Sequence, residues 1–447
     1  MPKYPTDDGE AALCSHISLV SADLGWHKQG RGSFGGLIEP GDRVVIKPNW
    51  VLHKNQGPWG MDPMITHPTI IKAVTREALL AGPSLIVIGD APIQTCDFDQ
   101  LMGVTGMREF EAQMKSPESP FVRINDFRRT VATYSNGRRA AVENVLPEDD
   151  FVLFDLGADS LLEPITTPHE AFRVTCYDPR LMARTHAPGK HRYLIAKEIL
   201  EADVIINLPK LKTHKKAGVT CALKNLIGIN GNKEYLPHHR IGGSNLGGDC
   251  YPGESTFKRL IEFAMDRQNG ARSSVMTAAW TGIATQLNRA LRLMGDDLGI
   301  EGSWAGNDTI WRTGLDLNRI VLYGKVDGSL SQIPQRKILH LVDAIVAGQG
   351  DGPLSPEPLN LGLLIGGTSA AAVDWISGQI LGYDPYKIAI VREAFQRFRW
   401  PLVDFAHNDI SLRGDWSAEK LGQIQKANSK LVKYPVGWQT AKLNAAY

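Results

Sequence analysis

Six lysines, three histidines and a thiol lie between Asn207 and His239, in the run NLPKLKTHKKAGVTCALKNLIGINGNKEYLPHH. Lys210, Lys212, His214, Lys215 and Lys216 fall within seven residues, ahead of a helix expected over Val219–Ile227. A helix N-terminus offers free N–H groups and positive potential, so lysines beside it would hold a carboxylate or a phosphate. On that helix Thr220 and Lys224 are four residues apart, as are Cys221 and Asn225, which puts the pairs on adjacent faces. Lys224 sits among Ala222, Leu223, Leu226 and Ile227, where burial would depress its pKa and make it a base or an amine nucleophile. His214 and Lys224 are therefore the candidate catalytic pair. Lys47, Asn49, Lys210, Lys212, Thr220 and Asn225 are candidates for anion or substrate binding. Lys215 and Lys216 read as a solvated loop tip, the fate of most lysines.

Two further groups extend this chemistry. His214 with His238 or His239 could supply two imidazole ligands to nickel, zinc or iron, with Asp90 or Asp249 as an oxygen ligand. The spacing matches no compact zinc motif, and adjacent histidines in an extended segment point opposite ways, so one of the two would face the site. Asn307, Asp308, Thr309 and Trp311 combine hydroxyl-reading groups with an aromatic platform, as a sugar ring needs. The same residues would equally serve as a helix cap with Trp311 in the core.

The elements that must position these residues alternate in type. Arg43–Lys47 reads as a buried strand, 67–80 as a helix opened by Pro68, and Ser84–Gly89 as a second strand ended by Asp90. Ile124–Val145 carries an Asn136-Gly137 turn between β-rich arms, which predicts a hairpin. Tyr193–Glu201 reads as a helix, Val204–Leu208 as a strand, 254–299 as a helical insertion and 302–313 as an irregular loop. Ile338–Val346 and Leu361–Ile365 read as strands, followed by a helix from Ala370 to Leu381 closed by Gly382. The fold class is α/β, two lobes on mostly parallel sheets, 1–188 and 189–447, with a cleft between. Strand ends at Lys47, Asn49, Asp90, Asn207 and Lys210 would converge there, because ligands in open α/β sheets sit beyond the carboxyl ends of the strands.

Composition narrows the function. With 49 Lys+Arg against 48 Asp+Glu over 447 residues, nothing global points to nucleic acid, and any basic site must be local. No apolar run approaches the roughly 20 residues of a membrane span, and the chain reads as cytoplasmic. Five scattered cysteines, with no CxxC pair, fit a reducing compartment and argue against an iron–sulfur cluster. GGTSAAAVD lacks the upstream histidine motif of a serine protease, and GGSNLGGDCYPG lacks the GK[ST] of a phosphate-binding loop.

KPNWV, THPTIIKAV, GDAP, NLPKLKTHKKAGVTCALKNLIG, VDAIVAGQGDGP and AAAVDWISGQILGYDP resemble, in that order, the motifs of the DUF362 family. The resemblance implies an α/β protein of a family of largely unassigned function, some of whose members carry ferredoxin-like cysteine runs that this chain lacks. Gly306–Ile320 is similar to a subgroup found among polysaccharide biosynthesis genes. A more distant similarity is to nickel-dependent lactate racemases, in which a histidine, an Ala-Gly pair, a lysine ten residues on and a later histidine are laid out as His214, Ala217-Gly218, Lys224 and His238 or His239 are here. That layout implies a site location rather than a cofactor. The expectation is an enzyme on a small anionic or sugar-linked metabolite, by metal-dependent proton transfer or redox chemistry. The alternatives are a non-catalytic protein that handles a metal centre through Cys221, Cys250 and nearby histidines, and a phosphate-binding module.

Overall fold

In the computed structural model, which describes Tyr4 and residues 10–115, 121–135, 138–271, 273–414 and 416–443, the β-branched runs assemble into an eight-stranded sheet. Its order is Gly218–Thr220, Lys210–His214, Lys337–Asp351, Val204–Leu208, Arg43–Pro48, Leu85–Asp90 and Phe121–Asp126, with Ser355–Gly367 also paired to Lys337–Asp351. The pairings are parallel from Lys210–His214 through to Phe121–Asp126, and antiparallel only where Gly218–Thr220 and Ser355–Gly367 attach. Arg43–Pro48 pairs in register with Val204–Leu208, so one sheet runs across the boundary drawn at 188.

The central strands are apolar on both faces because both are covered, as parallel sheets require. Val44, Ile46, Val204 and Ile206 point to a core shared with Ile17, Ile70 and Val74 of the helices Glu10–Asp23 and Pro68–Leu79. Val45 and Ile205, one residue out of phase, point to the opposite core with Phe154, Ile195 and Ile320. Lys47 and Asn207 share the parity of Val45 and Ile205, and they sit at paired positions where the two strands end.

Several local readings change. Tyr193–Ala196 is strand, within Lys190–Ala196 paired antiparallel to Phe151–Asp155, and only Lys197–Glu201 is helical. An apolar run this short carries no distinguishing period, so the pairing decided it. Gly218–Thr220 is likewise strand, turned back on Lys210–His214, and the expected helix shrinks to Ala222–Asn225. Gly218 adopts φ +79° in that turn, with the Trp438 ring packed where a Cβ would stand. The hairpin arms Thr130–Ser135 and Arg138–Asn144 do pair, while Asn136 and Gly137 lie outside the described residues. The 254–299 insertion is two helices, Thr256–Gly270 and Ser274–Leu293, and the loop expected to 313 yields at Ile310 to a helix ending at Tyr323. No helix among the described residues is long and apolar enough to cross a membrane.

Lys210 does not reach a crevice. Its ammonium is fully buried 2.5 Å from Asp343 Oδ2, and the Tyr4 hydroxyl donates to Asp343 Oδ1 at 2.7 Å. Asp343 also accepts from the His67 N–H at 2.9 Å. A buried carboxylate left without its ammonium is strongly destabilising, so Lys210→Met should cost about 3–5 kcal/mol. Urea unfolding should show that loss and show much of it recovered in Lys210→Met/Asp343→Leu; an unchanged midpoint in the single variant would remove the pair from the account.

Candidate functional site

A row of buried polar side chains crosses the strand ends and seats the turn that carries Lys224. Lys47 Nζ lies 2.7 Å from Asp90 Oδ1 and donates to the Pro48 carbonyl at 2.8 Å. Asn225 reaches down from the turn, donating to Asn207 Oδ1 at 2.7 Å and to the Lys47 carbonyl at 3.2 Å. Asn207 in turn donates to the Ala222 carbonyl and meets His340 Nδ1, each at 3.0 Å. Gly228 passes so close above the ion pair that a Cβ there would overlap Asp90 Oδ1. The N–H groups of Ala222 and Leu223 are capped at 2.6 and 3.1 Å by Asp374, from the helix Ala370–Ile380. Burial raises the Asp374 carboxyl to about 7.

These contacts correct several expectations. The helix N-terminus proposed as an anion site is already occupied by a carboxylate of the protein. Lys47 and Asn225 hold the sheet to the turn and are not free to bind substrate. Asp90 is no metal ligand, because Lys47 and the Trp50 N–H, at 2.6 Å, occupy both its oxygens.

The cations above this row lack that compensation. Lys212 is fully buried, yet it donates to Asn49 Oδ1 at 2.7 Å and to the Met64 carbonyl, and no carboxylate pairs with it among the described residues. Burial, then Lys210 and Lys224, drives its pKa well down. Lys224 and Lys233 are half-buried and make no hydrogen bond or ion pair among the described residues. Burial and then the neighbouring Lys233 bring Lys224 to about 7, while burial brings Lys233 to about 8. Thr220 stands directly opposite Lys212 across the hairpin, hence on the same face, and its buried hydroxyl has no partner among the described residues. Thr220 and Lys224 therefore belong to a strand and a turn, not to one helix.

The two histidines have defined tautomers. His214 Nδ1 accepts from the N–H groups of Lys216 and Ala217, at 3.0 and 3.2 Å, so the neutral ring carries its proton on Nε2. Metal-bound histidines donate from the nitrogen opposite the metal; His214 accepts there, which opposes its reading as a ligand. His238 Nδ1 donates to the Leu236 carbonyl at 2.6 Å, leaving Nε2 as a lone-pair acceptor. Burial, then nearby lysines, holds both rings well below the ordinary histidine pKa, so both are neutral at pH 7. His239 turns away, into a pocket with Arg173, Thr175, Cys250 and Glu262. Among the described residues no three His, Cys, Asp or Glu side chains gather to hold a metal ion.

Other candidates are structural. Asn307 Oδ1 caps Thr309 and Ile310 while its Nδ2 donates to the His238 and Gly302 carbonyls; Asp308 takes Trp311 Nε1 and Arg312. Asn307 is thus engaged in holding the turn, and Trp311 packs in the core. Cys221 bonds to Asp374 and its thiol is pushed up by burial, unlike a metal-ligating thiolate. Lys215 pairs with Asp351 near the surface as expected of a loop tip, but Lys216 bonds to Thr175 and acts electrostatically on both histidines. Lys216 read as a loop tip and Lys233 carried no role in the sequence reading, because both come near Lys224 through the course of loops, not through a motif.

Fold and site together define an α/β protein with a cluster of buried basic side chains at the strand ends. Residues 157–378, just under half of the chain, match the model of DUF362, described as a domain of unknown function. A thylakoid-associated protein of Synechocystis sp. is 23% identical over 359 residues, 80% of this chain and 68% of that protein. A crystal structure of a Thermotoga maritima protein aligns with a TM-score of 0.35 and 13% identity; the alignment covers 83% of this chain and 57% of that one.

Nitrogen-detected NMR should find His214 as the Nε2–H tautomer and His238 as the Nδ1–H tautomer, both uncharged well below pH 6.5. In Lys224→Met the loss of a neighbouring ammonium should raise the pKa of His214. A wild-type His214 that titrates near 6.5 would contradict this electrostatic picture.

Proposed function

We propose that the crevice binds a small, multiply charged anion bearing a carboxylate or phosphate, and that Lys224 transfers a proton on it. Lys224 carries the reading: a half-buried amine with no partner among the described residues, brought to about 7. A group that passes a proton works best when its pKa lies near the operating pH, and a bound anion holds Lys224 as the ammonium, the form that gives a proton. Removing a proton next to a carboxylate builds negative charge on oxygen, and preorganised donors in a dry site stabilise such charge most. His214 Nε2–H and the Lys212 ammonium are donors of that kind. A neutral imidazole held as a donor acts as an electrophile, a role known from isomerases. The reaction class is therefore isomerisation by proton transfer, as in racemases and epimerases, with His214 as donor and His238 Nε2 as the acceptor that completes the set.

The binding step has a defined proton linkage. An anion beside Lys224 favours its ammonium, so its pKa rises on binding and, near pH 7, protons are taken up. Affinity should fall as pH rises through 7 and the free amine loses its charge. Calorimetry with sulfate and with oxalate, neither of which titrates near pH 7, in two buffers of different ionisation enthalpy, should report uptake of about half a proton at pH 7. Lys224→Met should abolish the uptake and weaken binding by roughly tenfold. Binding that proceeds without proton uptake and survives Lys224→Met unchanged would place the anion elsewhere.

A further inference from the structure

The helical hairpin Thr256–Gly270 and Ser274–Leu293 has an inner face that is satisfied and an outer face that is not. Inside, Ile261 and Leu291 pack with Cys250, Tyr251 and Ile300. Outside, Leu260 is 53% exposed, Phe263 48%, Val275 77%, Ile283 46% and Leu293 82%. These are not scattered. Arg259, Leu260, Phe263 and Arg267 recur at the three- and four-residue spacing that lines one helix face, and Val275, Ala279, Ile283, Ala290 and Leu293 run down the other helix in the same manner. Single exposed apolar residues need no explanation, but a continuous stripe marks an interaction surface.

Charge selects the partner. The exposed ionic groups on the described residues of the two helices are Arg259, Arg267, Arg289 and Arg292. Both acids of the hairpin face inward: Glu262 accepts from the Gly242 N–H at 2.8 Å, and Asp266 pairs with Arg173 at 2.8 Å. A two-fold contact between copies through this face would set arginine against arginine, because isologous surfaces meet themselves. Apolar residues flanked on the helices by arginine, with exposed acids only beyond the helix ends at Glu254 and Asp297, suit an interface that is oily within and anionic at its rim.

We propose that the outer face of this hairpin docks the protein on an anionic lipid surface, lying in the headgroup region without spanning the bilayer. The proposal is independent of the crevice chemistry.

The test is sedimentation of the full chain with vesicles of phosphatidylcholine alone or mixed with phosphatidylglycerol. Binding to the mixed vesicles, weakened by salt and weak on phosphatidylcholine alone, is expected. Each arginine should contribute roughly fivefold, so Arg289→Gln/Arg292→Gln should lose on the order of 30-fold. Val275→Glu/Ile283→Glu should abolish binding while circular dichroism stays unchanged. Failure to sediment with either vesicle overturns the proposal, as does binding that both double variants leave intact. Self-association that Val275→Glu/Ile283→Glu disrupts, without vesicle binding, would assign the face to a second copy instead.

Discussion

The Lys47–Asp90 ion pair fixes the geometry on which the crevice depends. It lies where two parallel strands end, and the Ala222–Asn225 turn rests on it through Asn225 and the close passage of Gly228. Burying two charges costs several kcal/mol each unless their partners are well placed, so such a pair is weak evidence of added stability. Its consequence here is positional. With Lys47 and Asp90 locked together and Asn207 and Asn225 joined beside them, Lys224 has a defined place above the strand ends.

Against that background the lysines fall into two classes. Lys47 and Lys210 are buried with carboxylates at 2.7 and 2.5 Å. Lys212 is buried equally deeply but held by an amide and a carbonyl, and Lys224 and Lys233 lack even that among the described residues. Neutral acceptors satisfy hydrogen bonds without cancelling charge, so the second class leaves positive potential in a poorly solvated space. Part of it is relieved by loss of protons, which is why Lys224 comes to about 7. An anion would relieve the rest.

Much of this was legible in sequence, in a graded way. RVVIK, SLIVIG and VIINL are apolar without alternation, the mark of strands covered on both faces, and they formed the parallel core as read. The candidacy of KLKTH and of Lys224 rested on charge placed beside apolar framing. What sequence could not supply was long-range pairing. Nothing local to Lys210 indicates Asp343, and nothing local to Lys47 indicates Asp90, so Lys47, Lys210 and Lys212 looked equally available. The tautomer of His214, set by the backbone of Lys216 and Ala217 as the chain turns, changed it from candidate ligand to donor. Short apolar segments such as Tyr193–Ala196 and Val219-Thr220 took their conformation from strand partners rather than from their own pattern.

The measurement that bears most directly on the central claim is the location of an anomalously scattering oxyanion, such as selenate or tungstate, in crystals of the protein. The account predicts a principal site within hydrogen-bonding reach of Lys212 and Lys224, adjoining His214 Nε2 and the Thr220 hydroxyl, that is lost in Lys212→Met crystals. Anion density confined to the outer surface, with the crevice lysines paired to carboxylates of the protein, would contradict it.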